Sequence, residues 1–213
     1  MLDKNSKLDM EIMENLRPEN LIAAYAQGYF PMVEEGELWW FCPEERGLLP
    51  LDESFHVSRS LAKKIRQGKF VCTANRAFDD VIKLCAQRAE GTWISPEVYT
   101  AYSILHKIGL AHSVEAWHAD AVGQGKPVGG LYGVSIGGAF FAESMFHTAT
   151  DAGKVALCWF VDRLREREFE FCDIQWTTDN LERFGAYEMP KERYLKMLEK
   201  AVSLERHFDK PVA

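Results

Sequence analysis

Two apolar runs hinged on a glycine pair constrain this chain most. Val128 to Ile136 and Ala139 to Met145 flank Gly137-Gly138, a strong turn signal between two strands. Around them the pattern is equally regular. His112 to Trp117 alternates apolar and polar residues. Lys154 to Arg165 repeats Val155, Leu157, Phe160, Val161 and Leu164 at helical spacing, and Phe169 to Trp176 reads as a further strand. Short helices are expected at about Asp179 to Phe184, stopped by Gly185, and at Lys191 to Val202. The second half is therefore β-β-β-α-β-α. The fold class is α+β, a mixed sheet with helices packed on it, and a boundary falls near residue 110. Residues 1–110 would form a smaller N-terminal α/β domain and 111–213 the sheet domain.

The first half is less regular. An acidic, mobile start is expected to about Asn15. Arg17-Pro18-Glu19-Asn20 then opens a helix with Leu21, Ile22 and Tyr25 on one face and Gly28 as its stop. Tyr29 to Asp52 reads as loop, with too few periodic positions for long strands. Ser58 looks like the cap of a helix reaching about Gln67 and carrying Arg59, Lys63, Lys64 and Arg66. No acidic residue occurs from Ser54 to Phe78. Two readings stand: a solvated helix face, or a contact to a phosphate backbone. Phe78, Val81, Ile82 and Cys85 recur at helical spacing, as do Val98, Tyr102 and Leu105 before Gly109.

A net charge of −7 over 213 residues argues against a protein that grips nucleic acid over its whole surface, but not against one with a local basic patch. No apolar run approaches the roughly 20 residues of a membrane span, and the polar first residues are not those of a signal peptide. Cys42, Cys72, Cys85, Cys158 and Cys172 include no C-x-x-C pair, which suits free thiols in a reducing cytoplasm. The six histidines lack ligand spacing, so no metal is expected.

The strand Phe169 to Trp176 holds the first candidate chemistry. Alternation puts Phe171, Asp173 and Gln175 on one face and Cys172, Ile174 and Trp176 on the other. A carboxylate and a carboxamide side by side among apolar residues are either a reactive pair, a buried pair satisfied by backbone, or a solvated face. Glu143 sits in a run too apolar for a solvated strand, so it needs a partner or a ligand. Ser144 lies in A-E-S-M-F, not G-x-S-x-G, which excludes the serine-hydrolase elbow. Neither G-x-x-x-x-G-K-[ST] nor G-x-G-x-x-G after a strand is present. The mixed sheet suggests an acyltransferase of the acetyltransferase kind, yet the Q/R-x-x-G-x-G/A turn that cradles coenzyme A is missing. A different acyl donor is favoured.

A series of ordered segments then resembles one family across nearly the whole chain, about Pro18 to Leu198. They are A-Y-A-Q-G-Y-F-P at 24–31, L-W-W at 38–40, F-H-V-S-R-S-L at 55–61, G-T-W-I-S-P-E at 91–97, A-H-S-V-E-A-W at 111–117, V-G-G-L-Y-G-V at 128–134, E-S-M-F at 143–146, K-V-A-L at 154–157, D-I-Q at 173–175 and G-A-Y-E-M-P at 185–190. The chain resembles the leucyl/phenylalanyl-tRNA–protein transferases. The resemblance implies an acetyltransferase-like (GNAT-type) sheet domain behind the smaller N-terminal one. It implies transfer of Leu, Phe or Met from aminoacyl-tRNA to proteins beginning with Arg or Lys, marking them for degradation, without metal or cofactor. By motif, it makes Asp173, Gln175 and Glu143 the catalytic group and places Tyr25, Trp93 and Tyr102 at the 3′-terminal adenosine. Leu131, Phe140, Phe160 and Cys172 would line the donor side-chain pocket. The partners implied are aminoacyl-tRNA and an acceptor with a free N-terminus, in the cytoplasm, with a monomer as the expected state.

Several positions depart from the family pattern. Met32 replaces the aromatic of F-P-W, His147-Thr148 replaces Ser-Arg, Asp151-Ala152-Gly153 replaces Asn-Ala-Ser, and Asn180 and Arg183 stand in place of a His and a Ser. The segment Asp120 to Lys126 is longer, and the usual N-terminal lead-in is shorter. These changes open a second reading within the class: an arginine donor held by Asp151, or acidic N-termini held by Arg183. Two further readings lie outside the class, a coenzyme A-dependent acetyltransferase and a tRNA-binding module without catalysis.

Overall fold

The structure is a computed structural model that describes residues 15–34, 36–87 and 91–209. The acidic start expected up to Asn15 lies almost wholly outside the described residues. Helix α1 (Pro18–Tyr25) begins at proline, whose fixed φ and missing N–H suit a first turn, and it buries Leu21, Ala24 and Tyr25. Strands β1 (Phe30–Glu34) and β2 (Glu37–Phe41) pair as an antiparallel hairpin, and β3 (Glu45–Leu49) follows. The segment read as loop thus contains three five-residue strands, each too short to display a period. Helix α2 (Arg59–Arg66) is capped as expected, the Ser58 hydroxyl accepting from the Leu61 N–H at 3.3 Å.

Strand β4 (Phe70–Ala74) and helices α3 (Phe78–Ala86) and α4 (Pro96–Lys107) complete the first half. Strands β5 (Ala111–His118), β6 (Gly129–Ile136) and β7 (Ala139–His147) form the meander expected around Gly137-Gly138. Helix α5 (Ala152–Glu166), strand β8 (Phe171–Gln175), helix α6 (Asp179–Glu182), strand β9 (Tyr187–Pro190) and helix α7 (Lys191–Val202) follow. The second half therefore carries one strand more than its pattern revealed, the four-residue edge strand β9.

One mixed sheet of seven strands runs β4-β5-β6-β7-β8-β3-β9, antiparallel except for the parallel pair β7–β8, which α5 connects. It takes β3 and β4 from before residue 110 and the other five strands from after it. Both faces are covered. On one side α1, α3, α4 and α7 bury Tyr25, Phe78, Tyr102, Phe141 and Tyr194. On the other, α5 and α2 bury Leu61, Leu131, Phe140, Phe160 and Cys172. Because helices cover both faces, β5 is buried along most of its length despite its alternating sequence. Its polar residues bond internally: His112 Nε2 meets Ser135 Oγ at 3.1 Å, and Glu115 accepts from Thr73 at 2.5 Å.

Two irregularities in this sheet place the site. The β6–β7 register jumps from Tyr132↔Ser144 to Gly133↔Ala142, leaving Glu143 as the extra residue of a bulge. Across the sheet, Gly47↔Gln175 is followed by Leu48↔Asp173, so Ile174 is extra in β8. Gly133 permits the first bulge, since a Cβ there would lie 2.1 Å from the Phe141 carbonyl oxygen.

Candidate active site

Glu143 and Gln175 come together just past the last parallel pair of β7 and β8, where β8 ends and β7 continues to His147. The register Phe141↔Asp173 sets the two side by side two residues further on, and Gln175 Nε2 reaches Glu143 Oε1 at 3.5 Å. Gln175 has φ +60°, a left-handed backbone that costs a non-glycine residue roughly 1–3 kcal/mol and that clusters at functional sites. That backbone ends the strand and breaks its alternation. Trp176 turns to the side of Phe30 and Phe41, 4.9 and 5.9 Å away between ring centroids, instead of joining Cys172 and Ile174.

Asp173 is fully buried and fully engaged. Arg46 Nε donates to Oδ1 and to Oδ2 at 2.9 Å each, and Arg46 Nη2 lies 2.7 Å from Oδ2. The Tyr194 hydroxyl donates to Oδ2 at 2.6 Å, and the Gln175 backbone N–H donates to Oδ1 at 2.8 Å. Arg46 is itself held by the Gly28 carbonyl at 2.9 Å and sits between the rings of Phe30 and Tyr194 at 4.6 and 4.7 Å. Burial pulls the guanidinium pKa down, but the Asp173 carboxylate outweighs it and holds the value above the ordinary one. Asp173 thus fixes the Gln175 backbone rather than presenting a free oxygen.

Glu143 accepts from the Tyr25 hydroxyl at 2.7 Å and from the Tyr102 hydroxyl at 3.3 Å, and the two hydroxyls bond each other. Burial pushes the Glu143 carboxyl up to about 8; the Tyr25 bond works against the rise and the Asp173 charge adds to it. The same burial, with the Glu143 charge beside them, raises both tyrosines well above the ordinary value. The site therefore holds a carboxyl that titrates in the range of amines, beside a carboxamide whose oxygen can accept from a substrate. Arg46 and Tyr194 escaped the sequence reading. The only signal was a charged residue leading the apolar Leu48-Leu49, and Tyr194 sits in an unremarkable helical stripe.

The remaining candidates fall into three places. Tyr25 and Tyr102 are wholly buried with their hydroxyls on Glu143, while Trp93 is half-buried with its ring 6.4 Å from that of Tyr102. Leu131, Phe140, Phe160 and Cys172 are buried together beneath α5, with Phe140 and Phe160 edge to face at 4.8 Å. Arg59, Lys63, Lys64 and Arg66 are exposed on α2, where Lys64 pairs with Asp151. Met32, one of the departures, is the register partner of half-exposed Trp39, whereas Trp40 is buried. Among the described residues no helix is long and apolar enough to cross a membrane, and no cluster of three or more His, Cys, Asp or Glu could hold a metal.

Comparison with known proteins adds a direct finding. A family profile described as leucyl/phenylalanyl-tRNA protein transferase matches residues 48–199, and the profile of that enzyme's N-terminal domain matches 14–44. The leucyl/phenylalanyl-tRNA–protein transferase of Herpetosiphon aurantiacus is 47% identical over 195 residues, covering 92% of this chain and 99% of its own. The protein of the same name from Zymomonas mobilis is 48% identical over 192 residues, 87% of this chain and 69% of its own. Among solved structures, L-PGS from Bacillus licheniformis shows a loose likeness, with a TM-score of 0.45 and 12% identity over 88% of this chain and 71% of that one.

Proposed function

Since this chain belongs to the leucyl/phenylalanyl-tRNA–protein transferase family and is an aminoacyltransferase, we propose that it moves leucine or phenylalanine from tRNA onto proteins beginning with Arg or Lys, at the Glu143–Gln175 centre. The juxtaposition of Glu143, at the β7 bulge, and Gln175, at the end of β8, carries this reading. The acceptor amine attacks the ester carbonyl; the C–N bond forms, the C–O bond to the ribose breaks, and the amine's proton is lost as the ribose hydroxyl leaves. The ester is already activated, so alignment and proton removal are what the protein must supply. The Gln175 oxygen accepts from the amine, and Asp173, locked to Arg46 and Tyr194, positions Gln175. Glu143 faces the amine, its ionised form offsetting the positive charge there, with Tyr25 and Tyr102 holding the carboxyl in place. Trp93 serves the terminal adenosine, where stacking is worth roughly 1–3 kcal/mol.

The donor side chain belongs with Leu131, Phe140, Phe160 and Cys172. All four are apolar or soft, so related apolar donors are discriminated by only about 1–3 kcal/mol per methylene. An arginine donor needs a free carboxylate, and Asp151 is committed to Lys64 and Lys154 in a cavity that none of these four lines. The sheet, with α5 crossing between its one parallel pair, is read as acetyltransferase-like. The chain is read as a cytoplasmic monomer, with residues 1–110 supplying the tRNA-facing α2 and 111–213 the carboxylates. The test offers Leu-, Phe- and Arg-charged tRNA with peptides beginning Arg, Lys, Asp or Glu, followed by mass spectrometry. Leucine or phenylalanine on Arg or Lys starts is the expected product. Arginine transfer, or modification of acidic starts, would replace this specificity.

A further inference from the structure

A cavity of about 260 Å³ opens between α2, α6 and the N-terminus of α5. Leu61 and Phe184 in its wall belong to the core beneath α5, so it lies across the sheet from the Asp173–Arg46 pair. Lys64, Lys154 and Arg183 face it with a single carboxylate, Asp151, which leaves a surplus of two positive charges; Asn180 and His56 add polar atoms. Asp151 occupies the cap position of α5 with φ +67° yet makes no capping bond. Its carboxylate is turned to Lys64 and, at 3.8 Å, to Lys154. The positive end of a 15-residue helix therefore adds to the field at the wall instead of being answered by its own cap. That end is fixed in place, because a Cβ on Gly129 would lie 2.6 Å from Gly153 N.

Building on the transferase reading, we propose that this cavity seats one backbone phosphate of the single-stranded 3′ end of the donor tRNA. Lys64, Lys154 and Arg183 are its cationic ligands. Asp151 is a built-in counter-charge, which the phosphate must displace from the two lysines. Charge and continuity favour a nucleic acid over an acidic side chain. Lys64 is the inner end of the exposed basic face of α2, with Arg59, Lys63 and Arg66 outside it and no acidic residue from Ser54 to Phe78. A polyanion can engage that whole track, whereas one carboxylate would use only the cavity.

Two variants test this with intact protein. Lys154→Ala/Arg183→Ala is expected to raise KM for leucyl-tRNA at least tenfold more than KM for leucyl-adenosine, a donor without phosphates. Asp151→Asn keeps the size and suits the left-handed backbone. It is expected to bind uncharged tRNA severalfold tighter, with a steeper salt dependence, a gain that misfolding cannot imitate. Equal losses with both donors would overturn the phosphate seat, and so would a loss confined to peptides beginning Asp or Glu. Unchanged affinity and salt slope in Asp151→Asn would overturn the counter-charge. The binding arm needs no transfer. Tighter tRNA binding by Asp151→Asn in a protein that forms no peptide bond would therefore remove the transferase reading and leave the phosphate seat standing.

Discussion

Both oxygens of Asp173 are taken by Arg46, Tyr194 and the Gln175 amide, so its value lies in what it holds. Removing one member of a buried ion pair strands the other, which costs about 3–5 kcal/mol. Asp173→Ala is therefore expected to lower the unfolding free energy by about that amount in urea titrations. Asp173→Leu combined with Arg46→Met should restore much of the stability without restoring transfer. Glu143 couples stability to pH. Its folded pKa, about 8, lies above the ordinary 4.5, so the native state binds the proton more tightly. The stability it contributes is full below about 4.5 and is lost as pH rises to about 8. Glu143→Gln should accordingly raise Tm relative to the parent at pH 9 far more than at pH 5. An equal difference at both values would mean the carboxyl is not held protonated by burial. Asp173, Gln175 and Glu143 could be singled out in the sequence because polar residues inside apolar strands have few uses. Arg46 could not be, since its partner is 127 residues away in the chain and only the fold joins them.

The elements that matter most to the site are its imperfections. Glu143 reaches Gln175 because β7 carries one extra residue against β6, and β8 one against β3. A bulge leaves no mark on hydrophobic alternation, so the strands were legible but their re-aimed side chains were not. The alternation that placed Trp176 with Cys172 fails at the left-handed Gln175 for the same reason. Strands β1 to β4 and β9 were missed because four or five residues show little period of their own; β8, equally short, was legible because Asp173 and Gln175 alternate with apolar residues, and α2, α5 and the β5–β7 meander are long or capped. Gly133→Ala tests the bulge. Forcing a methyl against the Phe141 carbonyl should cost about 1–3 kcal/mol and lower kcat, while tRNA affinity stays within twofold of the parent. A parent-like kcat would show that the bulge does not set the Glu143 geometry.

Over the whole molecule, charge is divided rather than uniform. A protein of net charge −7 keeps an acid-free basic stretch around α2 and a cationic cavity beside it. Lys63→Glu/Arg66→Glu should weaken tRNA binding and flatten the dependence of log affinity on log salt, since each lost phosphate contact removes about 0.7–0.9 from the slope. Parent-like binding at low salt would place the tRNA elsewhere. The seven-stranded sheet draws on both halves of the chain, and sequence periodicity could not disclose that long-range pairing. The most direct test of catalysis at the Glu143–Gln175 centre is single-turnover transfer from leucyl-tRNA to a peptide beginning with Arg, comparing the parent with Gln175→Ala. A fall of at least a hundredfold in the transfer rate, with tRNA affinity within twofold of the parent, is the expected outcome. Transfer at the parental rate would contradict it and place peptide-bond formation elsewhere in the protein.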